Sequence, residues 1–397
     1  MNPPLTLEEA QARLLDLARP LGCEALPAEA ALGRYLAAPV VARRTQPAAD
    51  LSAMDGYAVA GAGPWRVIGE SAAGRPFAGR IAAGKAVRIS TGALVPEGGE
   101  AILLQEEAQR DGEALAVAPG GEASARHIRR RGFDFSTGDV VLEAGTRLGP
   151  AQLALAIAAG LGTGLEVGRL ARIAVLDSGD ELATSSEPWD DHRLPASNGA
   201  MIAALVRPLV VSAKRIGPVA DRLDALAEAL AAAEDADVVV TTGGASVGDH
   251  DLVRPALEAW GATIEFWRVA MRPGKPLLLA RRGGQWIVGL PGNPVSSYVT
   301  ALLFVLPLLR RLAGASECLP QSLTARTSEP LPPGSQRVEF VRAQLAGATV
   351  TPIRERDSSA LRALAQANAL IERPIGTAAA PAGAEVRVYP LGDAGIA

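Results

Sequence analysis

The chain has 397 residues, 48% of them hydrophobic, with 43 acidic against 39 basic side chains and a formal net charge of −4. That length implies two or three domains with ample apolar residues for buried cores, and the charge gives no reason to expect nucleic acid or a membrane as partner. Cys23 and Cys318 are too isolated to suggest a disulfide framework or thiolate metal site, the apolar run 299–309 is too short for a bilayer and residues 1–7 lack an export signal, so a cytoplasmic protein is expected.

Thr6, three residues before Glu9, forms a capping box for a helix over 5–17, with Leu7, Leu14 and Leu17 near helical spacing. Between 43 and 135, glycine and proline punctuate β-leaning runs at 65–68, 86–90, 101–105 and 114–118, the pattern of a small β-rich insert. Two segments stand out there, Ser52-Ala53-Met54-Asp55-Gly56-Tyr57-Ala58-Val59 and Ile89-Ser90-Thr91-Gly92-Ala93. Asp-Gly is also ordinary turn chemistry, and Thr-Gly a common strand end. Residues 126–131 hold four arginines and His127, a solvated charge cluster, and Gly132-Phe133-Asp134 adds a loop carboxylate. Residues 152–161 form a further helix, closed by Gly160 and Gly162. Packed beside the first helix, it would make one discontinuous linker domain, 1–42 plus 136–168, interrupted by the insert at 43–135.

From 169 strands and helices alternate. Strands are expected at 173–176, 211–216, 238–242, 263–269, 277–280 and 285–290, and helices at 198–210, 221–233, 252–260 and 295–312. This implies an α/β domain over 169–316, a doubly wound, mostly parallel sheet with ligand beyond the carboxyl ends of its strands. Three loops, 179–181, 243–251 and 291–294, converge at that edge. Beyond 317, short β-leaning runs at 323–327, 337–345, 349–353 and 385–389, with a helix at 361–369, make a small C-terminal β-domain over 317–397.

The most informative stretch is DVVVTTGGASVGDHD, 237–251. A short buried strand gives way to Gly243, Gly244 and Gly248, which let backbone N–H groups close on a phosphate-like ligand or simply make a tight turn. No Gly-Lys-Ser/Thr follows, so it is not a Walker loop. Gly244-Ala245-Ser246-Val247-Gly248 has the letters of a nucleophile elbow, but the only later histidine is the adjacent His250, which leaves no triad. Three histidines with no i,i+4 pair argue against zinc. Glu181, Asp221, Asp249 and Asp251 suit Mg²⁺ held jointly with phosphate oxygens, and equally suit helix N-termini. Arg268, Arg272 and Lys275 in a proline-glycine loop suit an oxyanion, with a solvated loop as the rival.

The segments SAMDGYAV, ISTGA, GDEL, TTGGASVGDHD, RPGKP and GLPGNPVSS stand in this order, and across 5–389 the chain resembles the molybdopterin molybdenumtransferase family of MoeA type, which includes a domain of gephyrin. The resemblance implies a MogA/MoaB-like central domain that binds molybdopterin, with a β-rich insert, a discontinuous helical linker domain and a small C-terminal β-barrel. It implies a homodimer in which the insert lies across the partner's cleft. The implied activity is a transferase step of molybdenum cofactor biosynthesis: molybdate is inserted into adenylated molybdopterin, with Mg²⁺-dependent release of AMP, to give molybdenum-molybdopterin. Asp55, Thr91, Glu181 and Asp251 would be catalytic, Glu181 and Asp251 also holding the metal. Gly243, Gly244, Ser246 and Gly248 would form the anion cradle, with Asp221 serving the adenylate and Asp134 matching the acid of the insert's final loop. Pro291, Gly292, Asn293 and Pro294 would shape the pterin loop. Arg272, Lys275, Ser296, Arg342 and Ser358 would help hold molybdate. Arg268 and Arg272 stand where many relatives carry lysine, and Gly99-Glu100 where an Ala-Asp pair is common; arginine keeps the charge but changes donor geometry. A contact with the molybdopterin adenylyltransferase is implied too. The alternatives are a non-catalytic molybdopterin-binding or scaffold protein, or the same chemistry with tungstate. An adenylating enzyme would resemble the central domain alone.

Overall fold

The computed structural model describes residues 4–184, 191–243 and 252–392. Its largest core surrounds a six-stranded sheet in the order Val210–Val219, Ala171–Ser178, Val238–Thr242, Gln285–Leu290, Leu278–Arg282, Thr263–Trp267. The first four strands are mutually parallel, and Leu278–Arg282 runs against its neighbours. Val238 and Val240 enter one apolar cluster and Val239 the other, so the central strand is covered on both faces. Helices Leu223–Ala231 and Val253–Ala259 pack on the second cluster. Asn198–Val206 and the long helix Pro294–Leu312 pack on the first.

The long helix has 19 residues, and an 18-residue stretch of it has a mean hydropathy of 1.4 and is 89% buried within the protein, which accounts for its apolar character as core. Pro307 interrupts it, because proline has no N–H to give the carbonyl four residues earlier, that of Leu303. The segment Ala301–Val305 widens into a π-helical turn. Leu303 O accepts instead from Gln11 Nε2 at 2.9 Å. Gln11 is buried on the first helix, Leu7–Leu17, which opens with the expected capping box: Thr6 Oγ1 accepts from Glu9 N at 3.2 Å, and Glu9 Oε2 from Thr6 N at 2.9 Å. Leu7, Ala10, Leu14 and Ala18 join the central cluster. Helix Pro150–Ala158 does not share that cluster, contrary to the expectation of two helices side by side; Ala156 packs with Ala28, Leu36, Val40 and Phe135. The leucine face of the first helix is taken up by the long helix, to which the chain is also tied by Leu21 N donating to Leu312 O at 2.9 Å.

The insert carries a mixed sheet in the order Ala101–Leu104, Gly56–Val59, Lys85–Ile89, Trp65–Ser71, Ala114–Val117, Ala108–Asp111. Alternate residues serve opposite faces: Ala58, Val87 and Ile102 one cluster, Tyr57, Val59 and Leu103 the other. In the C-terminal region Val338–Ala346, Thr349–Pro352, Leu323–Thr327, Glu385–Pro390 and Ala369–Arg373 close into a five-stranded barrel. Ala369–Arg373 departs from the sequence reading, which ran a helix to 369; the helix is Leu361–Gln366. Asn368 explains the early stop. Its side chain exchanges hydrogen bonds with Leu345, N to Oδ1 at 2.6 Å and Nδ2 to O at 2.9 Å, pinning the chain to the barrel edge where local propensity alone favours more helix.

Candidate functional site

Strands Ala171–Ser178, Val238–Thr242 and Gln285–Leu290 lie side by side and in parallel, so the loops that follow them start from one sheet edge. Gly243 shows how tightly they meet. It has φ +96°, its N–H donates to Leu290 O at 3.2 Å, and an added Cβ would stand 2.5 Å from Ser178 O. Glycine alone satisfies both the angle and the approach. Gly292 comes from the third loop, where a Cβ would stand 3.6 Å from Gly243 Cα. Asn198 Nδ2 donates to Gly292 O at 2.6 Å, Ser297 Oγ donates to Pro291 O, and Pro294 opens the long helix at a position where proline's missing N–H costs nothing. Gly244, Ser246, Gly248, Asp249 and Asp251 lie outside the described residues.

Acids cluster on the same edge. Asp221 Oδ1 accepts from Ser178 Oγ at 3.2 Å, and Asp221 N donates to Asp180 Oδ1 at 3.0 Å, which ties two adjacent strand ends together. Glu181 is exposed on this loop. Behind them Asp177, 2% exposed, accepts from Gly199 N at 2.8 Å and Thr242 Oγ1 at 2.5 Å, with Arg215 Nη2 3.6 Å from its second oxygen. Sequence reasoning ended the strand at 176 and passed over Asp177 just beyond it, whereas the strand runs on to Ser178; an acid that directly continues an apolar run was the available signal, since such a charge has to be hydrogen-bonded once buried. Among the described residues no three of Asp, Glu, His and Cys come together as a metal cage. The exposed carboxylate of Glu181 could hold only an ion that completes its shell with oxygens from elsewhere, such as water and phosphate.

A second feature adjoins the long helix. A cleft of about 500 Å³ opens between the 272–276 turn, the first turn of the long helix and the barrel. Arg272, Lys275, Ser296, Arg342 and Ser358, expected to share one ligand, all line it. The halves are stitched by Asn293 Nδ2 donating to Ser358 Oγ at 2.8 Å, Val295 N to Ser358 O at 3.0 Å, and parallel pairing of Met271–Arg272 with the Val338–Ala346 strand. Arg342 is a brace. Its guanidinium donates to the carbonyls of Glu355, Asp357 and Ala360 at 2.7, 2.9 and 3.1 Å and so shapes the loop that presents Ser358. Arg337, Glu339 and Arg356 also line the cleft and were not singled out from sequence. Short β-leaning runs carry no sign of which lumen or cleft their charges will face. Burial holds the Arg342 and Arg356 guanidiniums below their ordinary value; Glu355 opposes the shift at Arg342, and Glu339 opposes it at Arg356 while Arg272 adds to it.

The insert residues form a third group. Asp55 Oδ1 accepts from Thr91 N at 2.7 Å, so two motifs 36 residues apart make one exposed loop pair. Asp134 is exposed at the foot of the insert, its N–H donating to Gln46 O at 3.0 Å. Among the described residues, no hydrogen bond or ion pair joins Asp55, Thr91 or Asp134 to the sheet edge or the cleft.

Three family models match the chain: the MoeA N-terminal region (domain I and II) over residues 5–160, a probable molybdopterin binding domain over 174–311, and the MoeA C-terminal region (domain IV) over 324–391. The chain is 35% identical to a molybdopterin molybdenumtransferase of Haemophilus influenzae over 320 residues, 79% of each chain. It is 30% identical to one of Staphylococcus aureus over 400 residues, covering 97% of this chain and 95% of the relative. Among solved structures, a molybdopterin biosynthesis moeA protein from Pyrococcus horikoshii superposes with a TM-score of 0.83 at 26% identity, over 98% of this chain and 100% of that one. The order of the motifs, the barrel closure and these matches along the whole length agree, and the chain belongs to the molybdopterin molybdenumtransferase family.

Proposed function

We propose that this chain is a transferase of molybdenum cofactor biosynthesis that takes molybdate and adenylated molybdopterin, releases AMP and leaves molybdenum on the pterin dithiolene. The observation that carries the reading is the cleft beside the sheet edge, where Arg272, Lys275, Ser296 and the Arg342-braced Ser358 meet. A tetrahedral dianion needs fixed cations and hydroxyl donors together, and this cleft supplies both. The sheet edge next to it suits the pterin adenylate. Gly243 lets the loops after the parallel strands meet closely, and the loop of Pro291, Gly292, Asn293 and Pro294 borders both regions, so one ligand can span them.

Breaking the anhydride between pterin phosphate and AMP leaves new charge on phosphate oxygens, which positioned N–H donors and cations stabilise. Glu181, with Asp251, would hold Mg²⁺, which when bound neutralises part of that charge. Asp221, tied to Ser178 and Asp180, sets the wall of the adenylate region. The Asp55–Thr91 pair is turned to solvent within its own subunit, which suits completion of a site on a second copy in a homodimer. The adenylated pterin would be delivered by the adenylyltransferase that makes it.

The test is AMP release from adenylated molybdopterin with Mg²⁺, with and without molybdate, for the wild type and Glu181→Ala. Molybdate-dependent release is expected in the wild type, slowed roughly a hundredfold or more in the variant. A wild type that binds the adenylated pterin yet releases no AMP would overturn the transferase reading in favour of a binding protein. Tungstate in the same assay measures the choice of oxyanion.

A further inference from the structure

Six cations line the cleft, Arg272, Lys275, Arg337, Arg342, Arg356 and Arg373, against two acids, Glu339 and Asp357. Two of the cations are committed to backbone. Arg342 braces the 355–360 loop, and Arg373 Nη2 donates to Pro332 O at 2.9 Å and Ala378 O at 2.6 Å. Asp357 is occupied by its own loop, accepting from Ser359 N at 2.8 Å and Ser359 Oγ at 2.7 Å. Glu339 differs from all of these. It stands on the barrel strand with 19% of its side chain exposed, and Oε1 lies 3.6 Å from Arg272 Nη1. That separation is an ion pair too long for a hydrogen bond, so the attraction orients Arg272 without locking it. On the strand Glu339 is paired with Arg272 on one side and Arg373 on the other. Arg356 senses the same carboxylate, which opposes the effect of its burial. A carboxylate thus sits among guanidiniums in the cleft where an oxyanion would bind.

We infer that Glu339 is the cleft's own counter-anion: it pairs with Arg272 while no oxyanion is bound, and its repulsion keeps a bound dianion loose enough to leave for its acceptor. Glu339 is therefore a positioning residue, and its role rests on the oxyanion reading of the cleft proposed above. Coulomb's law gives the signature. A fixed negative charge penalises a dianion twice as much as a monoanion of the same shape, so removing it tightens the two unequally.

The experiment is titration of the full chain with molybdate, a tetrahedral dianion, and perrhenate, a tetrahedral monoanion, at one low ionic strength. Wild type, Glu339→Gln and Glu339→Asp are compared. Glu339→Gln is expected to bind molybdate roughly tenfold more tightly and perrhenate about threefold, the logarithms standing two to one. Glu339→Asp keeps the charge and should keep the wild-type ratio between the anions, which holds the inference open to refutation even where Glu339→Gln folds poorly. Equal tightening of both anions, no change, or weaker binding in Glu339→Gln overturns the role of Glu339, as does a changed ratio in Glu339→Asp. A wild type that binds neither anion overturns the oxyanion reading itself, and with it the inference. The two failures are distinct because the second appears without any substitution.

Discussion

At the scale of single residues, the sheet edge rests on one buried acid and one glycine. Asp177 accepts from Gly199 N and Thr242 Oγ1, and a Cβ on residue 199 would overlap its carboxylate. Gly199→Ala must push Asp177 off both partners and leave a buried charge underbonded. The expected cost is about 2–4 kcal/mol in urea unfolding. Gly162→Ala is the control: nothing lies within 4 Å of a Cβ there and φ is not positive, so it should stay within about 0.5 kcal/mol of wild type. Equal losses in the two variants would contradict this account. Gly243 was legible in the sequence because a glycine directly after a β-branched run has few other reasons to be there. Asp177 was not, because its partners come from a helix and a strand that only the fold sets beside it.

Single elements show where local rules decide and where they yield. The central strand was legible from its valines, and Asp237 at its start adds a charge clamp: Arg169 Nη1 and Nη2 donate to it at 3.2 and 2.9 Å, and Arg172 N at 2.7 Å. Burial pushes the Asp237 carboxyl up, but the hydrogen bonds from Arg169 and the Arg172 N–H outweigh it and hold the group below its ordinary 3.8. A depressed folded value means the stabilisation is complete above the ordinary carboxylate value and is lost as pH falls through the folded one. Asp237→Asn should therefore be less stable by about 1–2 kcal/mol at neutral pH, with the gap closing below about pH 4. A gap that persists unchanged to pH 2 would refute the clamp. Ala369–Arg373 shows the opposite case. Its sequence continues an alanine-rich helix, yet it becomes the strand that closes the barrel, because Asn368 is anchored to Leu345 and neighbouring strands on both sides need a partner. Such a tertiary demand leaves no trace in a ten-residue window.

For the whole molecule, the cleft exists only where the barrel and the α/β core are held together. Strand alternation and turn residues made the α/β unit, the insert and the terminal β-region legible. The joint between them was not, since Asn293 and Ser358 meet across 65 positions. Arg342 makes this joint testable. Arg342→Ala removes the donor from three carbonyls of the 355–360 loop, which carries Arg356 and is preceded by Arg354, both trypsin sites. Limited trypsin digestion should cut the variant after these arginines roughly tenfold faster than wild type, since loosening the loop by about 1.4 kcal/mol is enough for that. Unchanged protection would mean that other contacts hold the loop.

The bond from Gln11 to the Leu303 carbonyl joins residues 292 positions apart. At about 5–20 residues per second, a ribosome makes the donor helix roughly 15–60 seconds before its acceptor. During that interval the leucine face of the first helix has no native surface to cover it, and the weak turn before Pro307 has no repair until the earliest helix returns to it. The central core is therefore completed late and all at once, while the insert, whose strands are contiguous in sequence, can fold as soon as it emerges.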